Sequence, residues 1–242
     1  MLSAEGYEAL RATADMPAAM GLLFLFRHGE TDLTQGHYCG SSDPPLSERG
    51  RDQAARIAEL LRRRPIAAIY SSPQARAMQT AEPSARALDL EVCRADGLRE
   101  IDFGAWEGLS FEAAREHYPE VWRARQADPY LAAAPGGESY RDLAVRVIPA
   151  FDELLARHCD DFIAVFGHKS VNRVFLAYLL GMPVAYYRRI GQEPGAVSVV
   201  KSRASGVEVL TINERCHLGF CGGDLCRALS GAQVVEGPEC KP

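Results

Sequence analysis

Leu22-Leu23-Phe24-Leu25-Phe26 runs without a polar residue into Arg27-His28-Gly29-Glu30-Thr31. An unbroken apolar run of strand length marks a strand covered on both faces, as in a parallel sheet. The pattern recurs. Ala67–Tyr70 runs into Ser71-Ser72-Pro73-Gln74-Ala75-Arg76, and Phe162–Phe166 runs into Gly167-His168-Lys169-Ser170. Between the strands lie helical patterns. Ser47 is an N-cap for a helix to about Arg64, with Ala54, Ile57, Ala58 and Leu61 on one face and Pro65 as its stop. A second helix is expected from near Gln74 to Leu88, kinked or broken at Pro83. Leu90–Leu109 reads as loop-rich, and Ser110 caps a short helix to about His117. Ser139 with Asp142 resembles a capping box opening a long helix to about His158. A further helix runs from about Ser170 to Leu180 and ends at Gly181. Val197–Val200 and Val207–Ile212, around a Ser-Gly turn, close the pattern as two strands that can form an antiparallel edge. The fold class is α/β: a three-layer α/β/α sandwich with a mostly parallel central sheet.

Length and composition agree. With 242 residues, one sizeable α/β domain is expected. It should span residues 21–218, with a leader at 1–20 (a short helix at Glu8–Ala14) and a Cys/Gly-rich tail at 219–242. The net charge of -5 provides no bulk basic surface for nucleic acid or an anionic membrane. The nearly apolar stretch Met16–Phe26 is too short to span a bilayer, which takes roughly 20 residues. As a signal peptide it is opposed by Asp15, by Arg11 as the only nearby base, and by the lack of a small-residue cleavage site. Seven cysteines, an odd number, do not suggest a full disulfide framework. Cys39, Cys93 and Cys159 are scattered as in a reduced cytoplasmic protein. Cys216, Cys221 and Cys226 are spaced by five beside His217, where a metal site would more often show C-x-x-C pairs; a solvated tail is the better reading. Neither metal nor cofactor is expected.

In open α/β sheets, ligands collect at the carboxyl ends of strands. Reading past the three runs collects Arg27, His28, Arg76 and His168. Two guanidiniums suit bidentate contacts to phosphate oxygens, and a neutral imidazole is a nucleophile near pH 7. Gly29 leaves room for close approach, and the helix beginning near Gln74 would aim its N-terminus at an anion. Phosphoryl transfer needs mainly positioning and charge stabilisation, which this set supplies. No Walker A loop, H-E-x-x-H or GxGxxG is present.

Further blocks accompany Arg27-His28-Gly29-Glu30-Thr31 in order. They are Gly40-x-x-Asp43-x-Pro45-Leu46-Ser47-x-x-Gly50 with Gln53-Ala54; Ser71-Ser72 through Arg76-Ala77 with Gln79-Thr80-Ala81; Leu98-Arg99-Glu100 with Gly104-x-Trp106-Glu107-Gly108; Gly137-Glu138-Ser139; and Gly167-His168. Over about residues 22–215 the chain resembles the histidine phosphatase superfamily, with its phosphoglycerate mutase-like fold. The resemblance implies that His28 is the nucleophile that becomes phosphohistidine. It implies that Arg27, Arg76 and His168 hold the phosphoryl oxygens, and that Glu100 is the general acid and base. Apolar neighbours Leu98, Ile101 and Trp106 would keep that carboxyl protonated. Substrate contacts are expected from Thr34, Tyr38, Gly40 and Lys169. Thr34 stands where the family often carries Asn. Lys169 stands where it commonly has a small residue, and its ammonium could hold a second anionic group or be merely solvated. Cys39 reads as a passive neighbour of the site.

The expected activity is hydrolysis of a small phosphorylated metabolite, without nucleic acid, membrane or metal, by a cytoplasmic protein with a homodimer as its candidate assembly. The alternatives are a phosphoglycerate-type mutase and an anion-binding module without turnover. The short connection from Glu100 to His168 favours the phosphatase branch, because the mutases resembled carry a larger insertion there. Gly36-His37-Tyr38-x-Gly40 and Asn213-x-x-x-His217-Leu218 look like the branch that contains α-ribazole and broad-specificity phosphatases.

Overall fold

The computed structural model describes residues 20–33, 36–203 and 206–220. The expected leader helix, Thr34, and Cys221, Cys226 and Cys240 lie outside these residues. The six strands are β1 (Gly21–Arg27), β2 (Ile66–Ser71), β3 (Val92–Arg94), β4 (Phe162–Gly167), β5 (Val197–Arg203) and β6 (Gly206–Glu214). They form one sheet in the order β3-β2-β4-β1-β5-β6. β1, β2, β3 and β4 run parallel, while β5 pairs antiparallel with both β1 and β6. The sheet is therefore mostly parallel with an antiparallel edge, as the sequence implied.

The apolar run that opens the chain's regular pattern is buried on both faces of the sheet, and it feeds two separate cores. Leu23 and Leu25 pack with α5 (Tyr140–Arg157) and α6 (Lys169–Leu179) on one side. Phe24 and Phe26 pack with α1 (Glu48–Leu61) and α2 (Ala75–Leu88) on the other. β4 divides in the same way: Ile163 and Val165 face the first core, Ala164 and Phe166 the second. Period-two alternation of side chains is thus present although every position is apolar.

Local signals placed most ends well. Ser47 accepts from the Gly50 amide, and Ser139 and Asp142 form a reciprocal capping box at the start of α5. α1 stops at Leu61, short of Arg64, because the chain tightens there and the Arg64 amide bonds Leu61. Pro83 does not break α2. Its missing amide costs one helical bond, but Ala77, Thr80, Ala81, Ser84 and Ala85 are buried along one face and hold the helix together. Two elements depart from expectation. The loop-rich segment contains the three-residue edge strand β3. The short helix α3 (Phe111–His117) is followed at once by α4 (Pro119–Ala127), with Pro119 in its first turn. Among the described residues no helix is long and apolar enough to cross a membrane.

Candidate active site

The parallel pairing of β1 with β4 places Arg27 opposite Gly167. The next residue on each strand is a histidine. The His28 amide donates to the Gly167 carbonyl at 3.0 Å, and the two imidazole centroids stand 5.2 Å apart. His28 Nδ1 lies 2.7 Å from the Gly29 carbonyl. A carbonyl can only accept, so Nδ1 carries the hydrogen and Nε2 keeps its lone pair. Burial, with the guanidiniums of Arg76 and Arg27, pushes the His28 imidazole well below its ordinary pKa. His168 is wholly buried, and burial together with Arg76, His28 and Arg27 pushes it down likewise. Neither of its ring nitrogens has a hydrogen-bond partner among the described residues.

Arg27 donates to the Gln192 carbonyl at 2.6 Å. Burial lowers its pKa to about 10, which leaves it charged at neutral pH. Gln192 is itself fixed by Asn172 and Ser198. Arg76 is wholly buried in the first turn of α2. It donates to the carbonyls of Ser42 at 2.5 Å and Gly40 at 2.8 Å, with Asp43 3.6 Å away. The loop that offers those carbonyls is gathered by one carboxylate. Glu107 accepts from the amides of Gly40, Ser41, Ser42 and Phe103 at 2.8–3.0 Å and from the Ser42 hydroxyl. Burial raises the Glu107 carboxyl, but these bonds outweigh it and the pKa is lowered. Gly40 can carry no side chain, since a Cβ would collide with the Ile101 carbonyl. Gly40 therefore anchors Arg76 and does not border the cavity described below. The expected anion at the N-terminus of α2 is the protein's own: the Ala75 amide donates to Asp43 at 2.8 Å.

Glu100 is buried, and its surroundings are more polar than its sequence neighbours suggest. Its carboxylate accepts the Ile101 amide at 2.9 Å and the Ser170 amide, at the start of α6, at 3.1 Å. Its own amide donates to Gln74, whose other end bonds the Gly40 carbonyl, so one side chain ties the acid to the Arg76 loop. Arg146 of α5 donates to the carbonyls of Gly97, Arg99 and Glu100 and grips Glu138 through two bonds of 2.8 Å. Glu138 also accepts the Asp102 amide at 2.9 Å.

These residues converge on a cavity of about 490 Å³. Arg27, His28, Tyr38, Cys39, Glu100 and Lys169 line it, while Arg76 and His168 are buried beside His28 and do not. Burial raises the Cys39 thiol, so it stays protonated, in keeping with a passive neighbour. Tyr38 packs edge-on against Phe103 and Phe111 and tilted against Trp106 as part of an aromatic wall. Trp122, Arg125, Gln126, Arg173 and Arg188 also line the cavity and were not found from sequence. Pro119 could have signalled α4, which carries Trp122, Arg125 and Gln126, and Arg173 follows Lys169 at i+4 on α6.

A family model for the histidine phosphatase superfamily (branch 1) matches residues 23–215. Phosphoserine phosphatase 1 of Hydrogenobacter thermophilus is 36% identical over 198 residues, covering 81% of this chain and 94% of that protein. Among solved structures, the α-ribazole phosphatase of Shigella flexneri superposes with a TM-score of 0.75 at 27% identity, covering 80% of this chain and 96% of that one. A mycobacterial glucosyl-3-phosphoglycerate phosphatase superposes with a TM-score of 0.71 at 29% identity, covering 80% and 99%.

Proposed function

The chain belongs to the histidine phosphatase superfamily and is a phosphoric monoester hydrolase, and from that premise we propose that it hydrolyses a small phosphorylated metabolite through a phosphohistidine on His28. The observation that carries this reading is the state of His28: Nδ1 is committed to the Gly29 carbonyl, burial disfavours the charged ring, and Nε2 is left with its lone pair. In the first step Nε2 attacks phosphorus, the N–P bond forms and the P–O bond to the leaving alcohol breaks. The leaving oxygen takes up a proton as it departs, and Glu100 is the carboxyl group assigned to deliver it. In the second step Glu100 takes a proton from water as the water oxygen attacks phosphorus. The N–P bond breaks, inorganic phosphate leaves, and His28 returns to its neutral form.

Arg27 and Arg76 stabilise the charge spread over the phosphoryl oxygens, and the unpartnered ring nitrogens of buried His168 offer a further contact. The two guanidiniums supply at the site the positive charge that other phosphatases draw from a metal ion. The phosphatase reading is favoured over a mutase because only a 3-10 turn at Gly104–Trp106 and the short helices α3 and α4, seven and nine residues long, lie between Glu100 and the start of α5. The test is rapid mixing with a 32P-labelled phosphomonoester, followed by a quench in alkaline detergent and gel analysis at alkaline pH. An alkali-stable, acid-labile phosphoenzyme is expected in the native chain and should be absent, with turnover, in His28→Ala. Normal turnover in that variant overturns the mechanism, and an isomerised phosphoester without free phosphate overturns hydrolysis.

A further inference from the structure

Among the described residues, those lining the cavity include five basic side chains, Arg27, Arg125, Lys169, Arg173 and Arg188, against Glu100 as the single carboxylate. This is a local excess in a chain whose net charge is -5. A phosphomonoester brings about two negative charges at neutral pH. Arg27, with Arg76 buried beside His28, already answers those two. The other four basic side chains exceed the charge that the phosphoryl group alone requires.

Neutral partners aim the three arginines among these without neutralising them. Arg173 donates to the Ile190 carbonyl at 2.7 Å. Arg188 donates to the Tyr187 hydroxyl at 3.0 Å and to Gln126 at 2.8 Å. Arg125, only 3% exposed, donates at 3.3 Å to the Ala132 carbonyl. Its guanidinium lies 5.2–5.8 Å from the centroids of Phe103, Trp106 and Tyr140. None of the four has a carboxylate within ion-pair distance among the described residues; Glu100 and the exposed Glu193 act on Lys169 only at longer range. A buried guanidinium with ring faces but no counter-charge is costly unless an anion visits it. Lys169 points the same way, because burial disfavours its charged form.

We propose that Arg125, Lys169, Arg173 and Arg188 form a second anion subsite, so that the physiological substrate is a phosphomonoester carrying a second anionic group, a carboxylate or a further phosphate. The proposal rests on the phosphatase reading and narrows its substrate. Stacked Tyr140 and Tyr187, 3.8 Å apart, tie the cluster together: Arg125 lies over Tyr140, and Arg173 and Arg188 lie over Tyr187. Loss of one cation should therefore weaken the subsite without removing it.

The test is kcat/KM for matched pairs with the full chain. Glycerol 1-phosphate against 3-phosphoglycerate isolates a carboxylate; fructose 6-phosphate against fructose 1,6-bisphosphate isolates a second phosphate. The native protein should prefer the doubly anionic member of at least one pair by about tenfold or more, the worth of one or two charge-assisted bonds, and that pair names the group. Arg188→Gln and Arg173→Gln should each cut the ratio about fivefold or more. Arg125→Met should cut it further, and if that buried change unfolds the chain the other two variants carry the test. Turnover of all four compounds with ratios near one in the native protein overturns the subsite and leaves the phosphatase reading intact. Ratios unmoved by every variant overturn it too. Failure to turn over any compound, with no phosphoenzyme formed, overturns the reading beneath it.

Discussion

Arg146→Met probes how the acid is held. The guanidinium makes five hydrogen bonds, two to Glu138 and three to the carbonyls of Gly97, Arg99 and Glu100. Both charged side chains are about one quarter exposed, so the pair lies between a surface and a buried bridge. A buried charge-assisted bond contributes about 1.5–3 kcal/mol and an exposed pair about 0–1 kcal/mol. Because the five bonds share one group, their energies do not add, and a loss of about 2–3 kcal/mol is expected. Urea unfolding followed by the fluorescence of Trp106 and Trp122 measures it. The kinetic consequence is separate. Arg146 touches no reacting atom, but it fixes the backbone on which Glu100 stands. A misplacement of about 1 Å costs on the order of a hundredfold in rate. The loss should depend on the leaving group. For an alkyl phosphate, whose alcohol leaves only when protonated, kcat/KM should fall about 30–100-fold. For p-nitrophenyl phosphate, whose phenolate leaves unaided, it should stay within about threefold. Equal losses on both substrates would mean a damaged site and would refute a positioning role. An unchanged alkyl phosphate rate in a destabilised variant would refute it as well.

The remaining expectations concern charge and space. His28 and His168 have folded pKa values well below the unfolded value near 6.5, so the unfolded chain binds more protons below that pH. Stability should be full above about pH 6.5 and fall as the pH drops, by up to about 1.4 kcal/mol per pH unit for each ring; a flat urea midpoint from pH 7.5 to 5.5 would contradict this. EDTA should leave turnover unchanged, and restoration of a lost rate by one particular divalent ion would contradict the assignment of charge stabilisation to Arg27, Arg76 and His168. Gly40→Ala should destabilise by about 2 kcal/mol or more, because the new methyl meets the Ile101 carbonyl on a loop that Glu107 and Arg76 already pin. A crystal structure or denaturation curve that shows no displacement and no loss would disprove that account.

The residues legible from the sequence share a placement. Arg27, His28 and His168 sit at, or one residue past, the ends of β1 and β4, and parallel pairing of these neighbouring strands brings those ends together. No long-range knowledge is needed to collect them, because position along a strand and position in the site coincide. The resemblance added Glu100, which no local pattern marks: it lies in irregular chain and reaches the site only through Gln74, Ser170 and Arg146. Glu107, Glu138 and Arg146 act through backbone amides and carbonyls distant in sequence, and such bonds leave no periodic trace. The break offered at Pro83 is absent for a related reason. Local propensity charges the helix for one lost bond, while the buried face that outweighs it is set by tertiary packing.

The two halves of the cavity follow from the same distinction. The phosphoryl half is built from strand ends and first helical turns, with Arg27 and His28 at its wall and His168 and Arg76 buried behind them. Its geometry can vary little without breaking the sheet. The distal half is built from side chains of α4, the start of α6 and the 3-10 turn at Val184–Arg189, held by ring contacts and neutral hydrogen bonds that tolerate exchange. A fixed half suits a reacting group that is the same in every phosphomonoester. An adaptable half suits the part of the substrate that differs. The residues that choose the substrate should therefore be sought in 119–127 and 184–189 together with Lys169 and Arg173, where strand-end reading has no purchase and charge without counter-charge is the available signal.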